Sequence, residues 1–285
     1  MTSDRGDSTR KDVRREFEEW CADYQNMALV NGAVFRTFAE RVQTVPWLAA
    51  HRDWVEAHRH GYGHRAFHYL WYLLIASLGD HFRPVRMLEI GVFKGQITSL
   101  VALLGRELDV PVEITALSPF MGDREAGSGW RSALKFVVDS DFRRSFLLGN
   151  VHRGADHVGD NRRIFEAFGL DFDRVRMIRG LSTSPDIAAQ LRGERLAVVF
   201  IDGDHSYDVA RSDIETYTPL VEPGGYAVVD DAGCDLPGRG FSKGFRSVSR
   251  ACRVLETSAE WSNVLNVGKM RVFSRRGAET AGRRF

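Results

Sequence analysis

The 285-residue sequence predicts an α/β protein with a mostly parallel sheet of seven strands, a C-terminal antiparallel hairpin and an N-terminal helical extension. Three observations carry that expectation. Short apolar runs bounded by turns recur after Pro84, with helical patterns between most of them, and this is the signature of βαβ units in a sheet covered on both faces. Before Pro84 the pattern is helical, with no strand-like run. The last two apolar runs straddle Gly268 and so pair as a hairpin.

Residues 1–10 (MTSDRGDSTR) are polar and expected to be disordered. Residues 11–83 form the helical extension, a lid or oligomerisation region. Glu16 to Trp20 opens an amphipathic segment and Ala28 to Val42 continues it. The Gly61-Tyr62-Gly63 break precedes Ala66 to Ile75, apolar nearly all round and therefore expected to be buried against something larger. The sheet domain covers 84–275. Its first strand is Val85 to Ile90, followed by a glycine turn and a helix to about Leu108. Further strands are expected at Val112 to Leu117, Arg174 to Ile178, Leu196 to Ile201 and Tyr226 to Val229, with the hairpin at Trp261 to Val267 and Lys269 to Ser274. Residues 118–160, before a helix at Asn161 to Phe168, exceed ordinary loop lengths. This insertion holds Gly122, Gly127, Gly129 and a helical-looking piece near Trp130 to Val138, and insertions at the carboxyl end of a strand commonly shape ligand sites. Residues 276–285 read as a frayed basic tail.

Composition narrows the function. With 44% hydrophobic and 27% charged residues the chain has the make-up of a globular protein, and a net charge of +1 provides no field for nucleic acid or an anionic membrane. The three cysteines, Cys21, Cys234 and Cys252, are too scattered for a disulfide framework or a thiolate zinc site. The first twenty residues lack the apolar core of a signal peptide, and Tyr69 to Leu78 is about half the ~20 residues of a membrane span. A cytoplasmic protein is expected.

Two motifs carry chemistry. The first is Leu88-Glu89-Ile90-Gly91-Val92-Phe93-Lys94-Gly95, an E-x-G-x-x-x-G turn between strand and helix. Gly91 permits close backbone approach, Gly95 lets the helix start against the sheet, and the exposed amides suit an anion or carboxylate. The spacing is neither the dinucleotide G-x-G-x-x-G nor a Walker loop, which disfavours a nicotinamide oxidoreductase. Read alone, it is equally a tight βα turn of any α/β domain.

The second and stronger motif is Ile201-Asp202-Gly203-Asp204-His205-Ser206-Tyr207, followed by Pro223-Gly224-Gly225-Tyr226-Ala227-Val228-Val229-Asp230-Asp231. Two apolar strands end in carboxylates, and parallel strands emerge at one sheet edge, where open α/β sheets bind ligands. Asp202, Asp230 and Asp231 are therefore expected to converge. Their mutual repulsion is relieved by a hard divalent cation such as Mg²⁺. Asp204 is as readily a loop carboxylate as a functional one, and Asp208 reads as a helix cap.

Over residues 86–274 these motifs resemble the class I S-adenosylmethionine-dependent methyltransferases, which have a Rossmann-like sheet. The likeness is to the metal-dependent O-methyltransferases of the catechol and macrolide-sugar type. The resemblance implies that Glu89 and Gly91 lie beside the methionine part of S-adenosylmethionine, with Gly95 in the same turn. It places Asp202 in both the cofactor and metal sets, with Asp230 and Asp231 completing a magnesium site. It also makes His205 the general base, since the base stands three residues past the first metal-binding Asp and is histidine in the sugar enzymes. Asp204 is the reserve base. Ser118 stands where most relatives have a ribose-binding acid, and Ser182 of Gly180-Leu181-Ser182 matches a turn that contacts adenine. The chemistry agrees: a histidine with a pKa near ~6.5 deprotonates an alcohol only if a cation lowers the hydroxyl pKa.

The expected function is Mg²⁺-dependent O-methylation of a small-molecule acceptor, a hydroxyl of a sugar or glycosylated natural product. The alternatives are a catechol or phenol acceptor and a non-catalytic cofactor-binding protein. His58, His60, His64 and His68 fall within eleven residues, with His64 and His68 on one helix face. No thiol or carboxylate accompanies them in a known zinc pattern, so structural histidines are the expectation. Tyr62, His64 and Phe67 are candidates for a lid over the acceptor, and Trp71 and Tyr72 for core.

Overall fold

The computed structural model describes residues 3–120, 134, 136–138 and 156–277. Helices α1 (Ser3–Ala22), α2 (Ala28–Arg41), α3 (Pro46–Ala57) and α4 (Arg65–His81) come first. Then follow β1 (Val85–Ile90), α5 (Gln96–Glu107), β2 (Val112–Ser118), α6 (His157–Ala167), β3 (Arg176–Arg179), α7 (Pro185–Leu191), β4 (Leu196–Ile201), α8 (Tyr207–Tyr217) and β5 (Val221–Val229). Helices α9 (Arg246–Ala251) and α10 (Arg253–Thr257) lead into β6 (Trp261–Val267) and β7 (Met270–Arg275). One seven-stranded sheet results, in the order β3-β2-β1-β4-β5-β7-β6. β1 to β5 pair in parallel, and β7 runs antiparallel to both β5 and β6. This is the fold class the sequence predicts.

Side chains alternate across the sheet into two cores. Val198 and Phe200 of β4 point to the face covered by α4, α5 and α6, whereas Val199 and Ile201 point to the face covered by α7 to α10. Helix α4 is buried along nearly its whole length, as its all-round apolar pattern requires, and Trp71 sets its edge on Phe200 at 5.3 Å. Tyr72 is core as well. The N-terminal helices thus supply one layer of the main core. Among the described residues no helix is long and apolar enough to cross a membrane, and no disulfide joins the three cysteines.

Several boundaries differ from expectation. Helix α1 begins at Ser3, so disorder over 1–10 is corrected from that residue onward. Val13 and Phe17 are buried, while Arg10 and Arg14 pair with Asp80 of α4 at 3.1 and 3.0 Å, which anchors the helix downstream of its start. β3 starts at Arg176 because residues Phe172–Arg174 form a 3₁₀ turn capped by Asp171. β5 starts at Val221, and Pro223-Gly224-Gly225 lies within it. A Cβ on Gly225 would meet the Ala197 carbonyl at 2.5 Å, and the β4–β5 register shifts there. In the 118–160 insertion, residue 134 and residues 136–138 are helical. Residues 121–133, 135 and 139–155, with the tail from 278, lie outside the described residues.

Candidate active site

The carboxyl ends of the parallel strands are stitched together by backbone hydrogen bonds. Gly91 N donates to Leu117 O (3.0 Å), Asp202 N to Ile90 O (2.9 Å), Asp230 N to Ile201 O (3.0 Å) and Gly180 N to Ser118 O (3.1 Å). β1 and β4 lie side by side where the strand order reverses, the position at which open α/β sheets leave a ligand crevice. The glycine turn opens there. Gly91 has φ +91°, and a Cβ on it would stand 1.9 Å from the Asp202 carbonyl oxygen. Gly95, at φ +81°, precedes α5, and its missing Cβ makes room for Asn161 Oδ1. Asn161 in turn donates to Phe93 O at 3.1 Å and His157 O at 2.7 Å, so α6 holds the turn from outside. Its side-chain amide was not legible as a support in the sequence, because it lies 66 residues away on the far side of the insertion.

Glu89 is buried at the base of this turn and accepts from the Thr98 hydroxyl. Burial pushes its carboxyl up to about 8, against the opposing Thr98 bond. A fixed cationic ligand group beside Glu89 would restore the ionised form.

The acidic cluster sits next to it. Asp202, His205 and Asp231 each present a ligand atom within 4.8 Å of the others. His205 Nε2 is 3.0 Å from Asp231 Oδ2, and the ring lies flat on Phe245, with centroids 4.1 Å apart and planes at 12°. Asp231 adopts φ +56°, pinned where Phe245 N donates to its carbonyl at 2.8 Å and Gly244 packs against its backbone. Asp230 stands outside that trio: its Oδ2 accepts from Lys269 Nζ at 2.8 Å, and its Oδ1 is buried without a hydrogen-bond partner among the described residues. Lys269 also reaches Asp231 Oδ1 at 3.1 Å. Sequence reasoning missed Lys269 and Phe245. No local motif marks either, and both arrive by long-range return of the chain.

Electrostatics divides the three acids. Burial raises Asp202 well above the ordinary carboxylate range, and the neighbouring Asp230 adds to the effect. Burial raises Asp230 too, with Lys269 opposing. For Asp231 burial acts in the same direction but is outweighed by the His205 hydrogen bond and by Lys269, which hold its carboxyl at about 2. Burial would lower Lys269, yet Asp230, Asp231 and Asp202 together raise it. Burial thus penalises the charge of Asp202 and Asp230, and a cation drawn to their oxygens would restore the ionised forms, in which three carboxylates outnumber the one lysine. Hard oxygen donors with surplus negative charge, one of them an unpartnered buried oxygen, fit a divalent cation.

The other expected residues are dispersed. Ser118 is buried at the end of β2, with its hydroxyl 3.5 Å from Phe120 N. Ser182 offers its carbonyl to the Tyr217 hydroxyl at 2.6 Å. Asp204 is exposed and accepts from Ser206 N at 2.7 Å, shaping the turn into α8. Ser206 is the residue preceding that helix and Asp208 lies in its first turn, which corrects the capping expectation for Asp208.

The four histidines do not meet at one point, although His58 and His60 share the Trp54 ring. His58 stacks on Trp54, and His60 bonds the Asp160 carbonyl at 2.9 Å. His64 precedes α4 and accepts from Ala66 N, so it does not share a helical face with His68. His68 is buried against His51 at 3.0 Å. Of the proposed lid, Tyr62 stacks on Phe93 of the glycine turn at 5.2 Å, His64 lies on Phe35, and Phe67 is buried.

A seven-stranded sheet of this order, with its glycine turn at the switch point, is the architecture of class I S-adenosylmethionine-dependent methyltransferases. The chain belongs to the "Methyltransferase domain" family, whose profile matches residues 88–232. It is 28% identical over 185 residues to the 8-demethyl-8-(2,3-dimethoxy-alpha-L-rhamnosyl)-tetracenomycin-C 4'-O-methyltransferase of Streptomyces olivaceus, covering 65% of this chain and 66% of that enzyme. The chain thus spans just under two thirds of that relative. Its fold is similar to that of the O-methyltransferase NovP, at 21% identity and a TM-score of 0.50, covering 73% of this chain and 78% of NovP. It is also similar to the O-methyltransferase TomG from Streptomyces achromogenes, solved in complex with SAM, at 14% identity and a TM-score of 0.51, covering 87% and 99%.

Proposed function

We propose that the protein transfers a methyl group from S-adenosylmethionine to a hydroxyl of a sugar or glycosylated natural product with the help of a divalent cation, Mg²⁺ in the first instance. The observation that carries this reading is the meeting of Asp202, His205 and Asp231 within 4.8 Å beside the Gly91 turn. The sugar acceptor is supported by the name of the Streptomyces olivaceus relative, a 4'-O-methyltransferase of a rhamnosyl compound.

Glu89 and the Gly91–Gly95 turn would receive the methionine end of the cofactor. Ser118 would receive the ribose and Ser182 the adenine. Asp202 and Asp231 would hold the cation, with Asp230 adding charge behind them. When bound, the cofactor supplies the sulfonium methyl and the cation lowers the pKa of the acceptor hydroxyl. His205 is the base. With its Nε2 proton donated to Asp231, Nδ1 is left with the lone pair that takes the hydroxyl proton. Phe245 fixes the ring plane while this happens. The N-terminal helices and the 118–160 insertion would enclose the acceptor.

Calorimetry with S-adenosylmethionine in the presence of chelator tests the cofactor assignment, for which binding is expected without metal. Turnover on glycosylated and on phenolic acceptors, in Mg²⁺ and in EDTA, tests the rest. Equal rates in both would remove the cation from the mechanism, and binding of the cofactor without turnover on any hydroxyl would favour a non-catalytic role.

A further inference from the structure

Lys269 occupies the turn between β6 and β7, and its ammonium touches two of the three clustered carboxylates. Its place is built from three directions. Ala232 N donates to the Lys269 carbonyl at 2.9 Å, tying the turn to the end of β5. Gly233 leaves room for it, since a Cβ there would stand 2.9 Å from Lys269 Cα. Gly268, at φ +59°, packs under Phe35 and Phe67, so the N-terminal helices press the turn towards the site. The side chain is only 12% exposed. This is a fixed ammonium in a closed setting.

Both oxygens of Asp231 are therefore committed, Oδ1 to Lys269 and Oδ2 to His205. A cation that takes an oxygen of Asp231 shares it with one of those partners, and at Oδ1 it meets the positive charge of Lys269. His205 is held by its stack on Phe245, which leaves Lys269 as the partner that yields. Resting on the metal reading above, we infer that Lys269 is the resident cation of the cluster, a positioning residue that aims Asp231 at His205 when no divalent ion is bound and competes with that ion for the carboxylates. With all three carboxylates ionised, they and the one ammonium carry a net charge that a dication balances. Without the ammonium the same oxygens attract the dication more strongly, because like-charge repulsion across a few ångströms is removed.

The test is Mg²⁺ and Mn²⁺ binding, by calorimetry and Mn²⁺ electron paramagnetic resonance, on the full chain without cofactor or acceptor. Lys269→Met is expected to bind Mn²⁺ at least about tenfold more tightly than wild type. Lys269→Arg, which keeps the charge, is expected to stay close to wild type. If Lys269→Met fails to fold by circular dichroism, Lys269→Gln is read in the same way. Wild-type binding that Asp202→Asn abolishes but Lys269→Met leaves unchanged or weakened would overturn the inference while the metal reading stands. Binding by Lys269→Met but not by wild type would support the inference and refute cation use by the native protein. Absence of binding in every variant would overturn both.

Discussion

His205 and Asp231, 26 residues apart and carried by neighbouring strand ends, meet through Nε2 and Oδ2 at 3.0 Å, with the imidazole lying flat on Phe245. The imidazole is restricted twice over: one nitrogen is bonded to a carboxylate and one ring face is covered.

His205→Ala is therefore expected to lower kcat by about 10² to 10⁴, the usual loss for one general base, with cofactor affinity retained. Steady-state kinetics beside calorimetry checks it. A mutant within twofold of wild type would transfer the role of base to Asp204.

Asp202→Asn and Asp231→Asn are each expected to abolish the stimulation by Mg²⁺ while changing S-adenosylmethionine affinity little, because the proposed mechanism sets these carboxylates on the acceptor side of the transferred methyl. Titrating Mg²⁺ into both mutants and the wild type decides the matter. A large loss of cofactor binding would move Asp202 into the cofactor pocket alone.

Glu89 makes stability depend on pH. Its folded pKa of about 8 lies above the ordinary value of 4.5, so the folded protein keeps a proton that the unfolded chain releases. Stability of the cofactor-free protein should fall as pH rises from roughly 4.5 to 8 and level off above that, by on the order of 5 kcal/mol at full effect. Asp231 acts in the opposite sense. Its folded pKa of about 2 means a stabilising contribution that is present above the ordinary carboxylate value and lost as pH falls through about 2. Denaturant melts from pH 5 to 9 should show Glu89→Gln without the decline. Parallel curves for mutant and wild type would refute the assignment.

Gly91→Ala should cost about 2–5 kcal/mol, since the new Cβ would overlap the Asp202 carbonyl and the backbone is at positive φ. Thermal unfolding measures the loss directly. Because the clash pushes on the strand end that carries Asp202, cofactor binding should weaken with it.

Much of this architecture can be read along the chain. Leu196 to Ile201 is uniformly apolar because a central parallel strand is buried on both faces, and the turn chemistry of Gly91 and Gly95 is local. That Asp202 and Asp231 converge follows from one rule, that successive parallel strands end at the same edge. Local pattern was a poorer guide wherever a distant neighbour decided the outcome. Pro223 to Gly225 reads as a turn but continues β5, because the Ala197 carbonyl leaves no space for a Cβ. Residues from Ser3 read as a polar tail but are helical, anchored downstream by Asp80.

The division within the site has the same cause. Residue type and spacing along the chain specify the glycine turn, the acids and the histidine, since each belongs to a strand and the turn that follows it. Which carboxylate pairs with which partner is a matter of three-dimensional packing. Asp231 turns to His205, Asp230 turns to Lys269, and Lys269 arrives from an antiparallel hairpin 38 residues later in the chain. Nothing near Lys269 in sequence signals an ion pair. Its position follows from the return of β7 beside β5 and the pressure of Phe35 and Phe67 on Gly268, and long-range contacts of that kind leave no periodicity behind them.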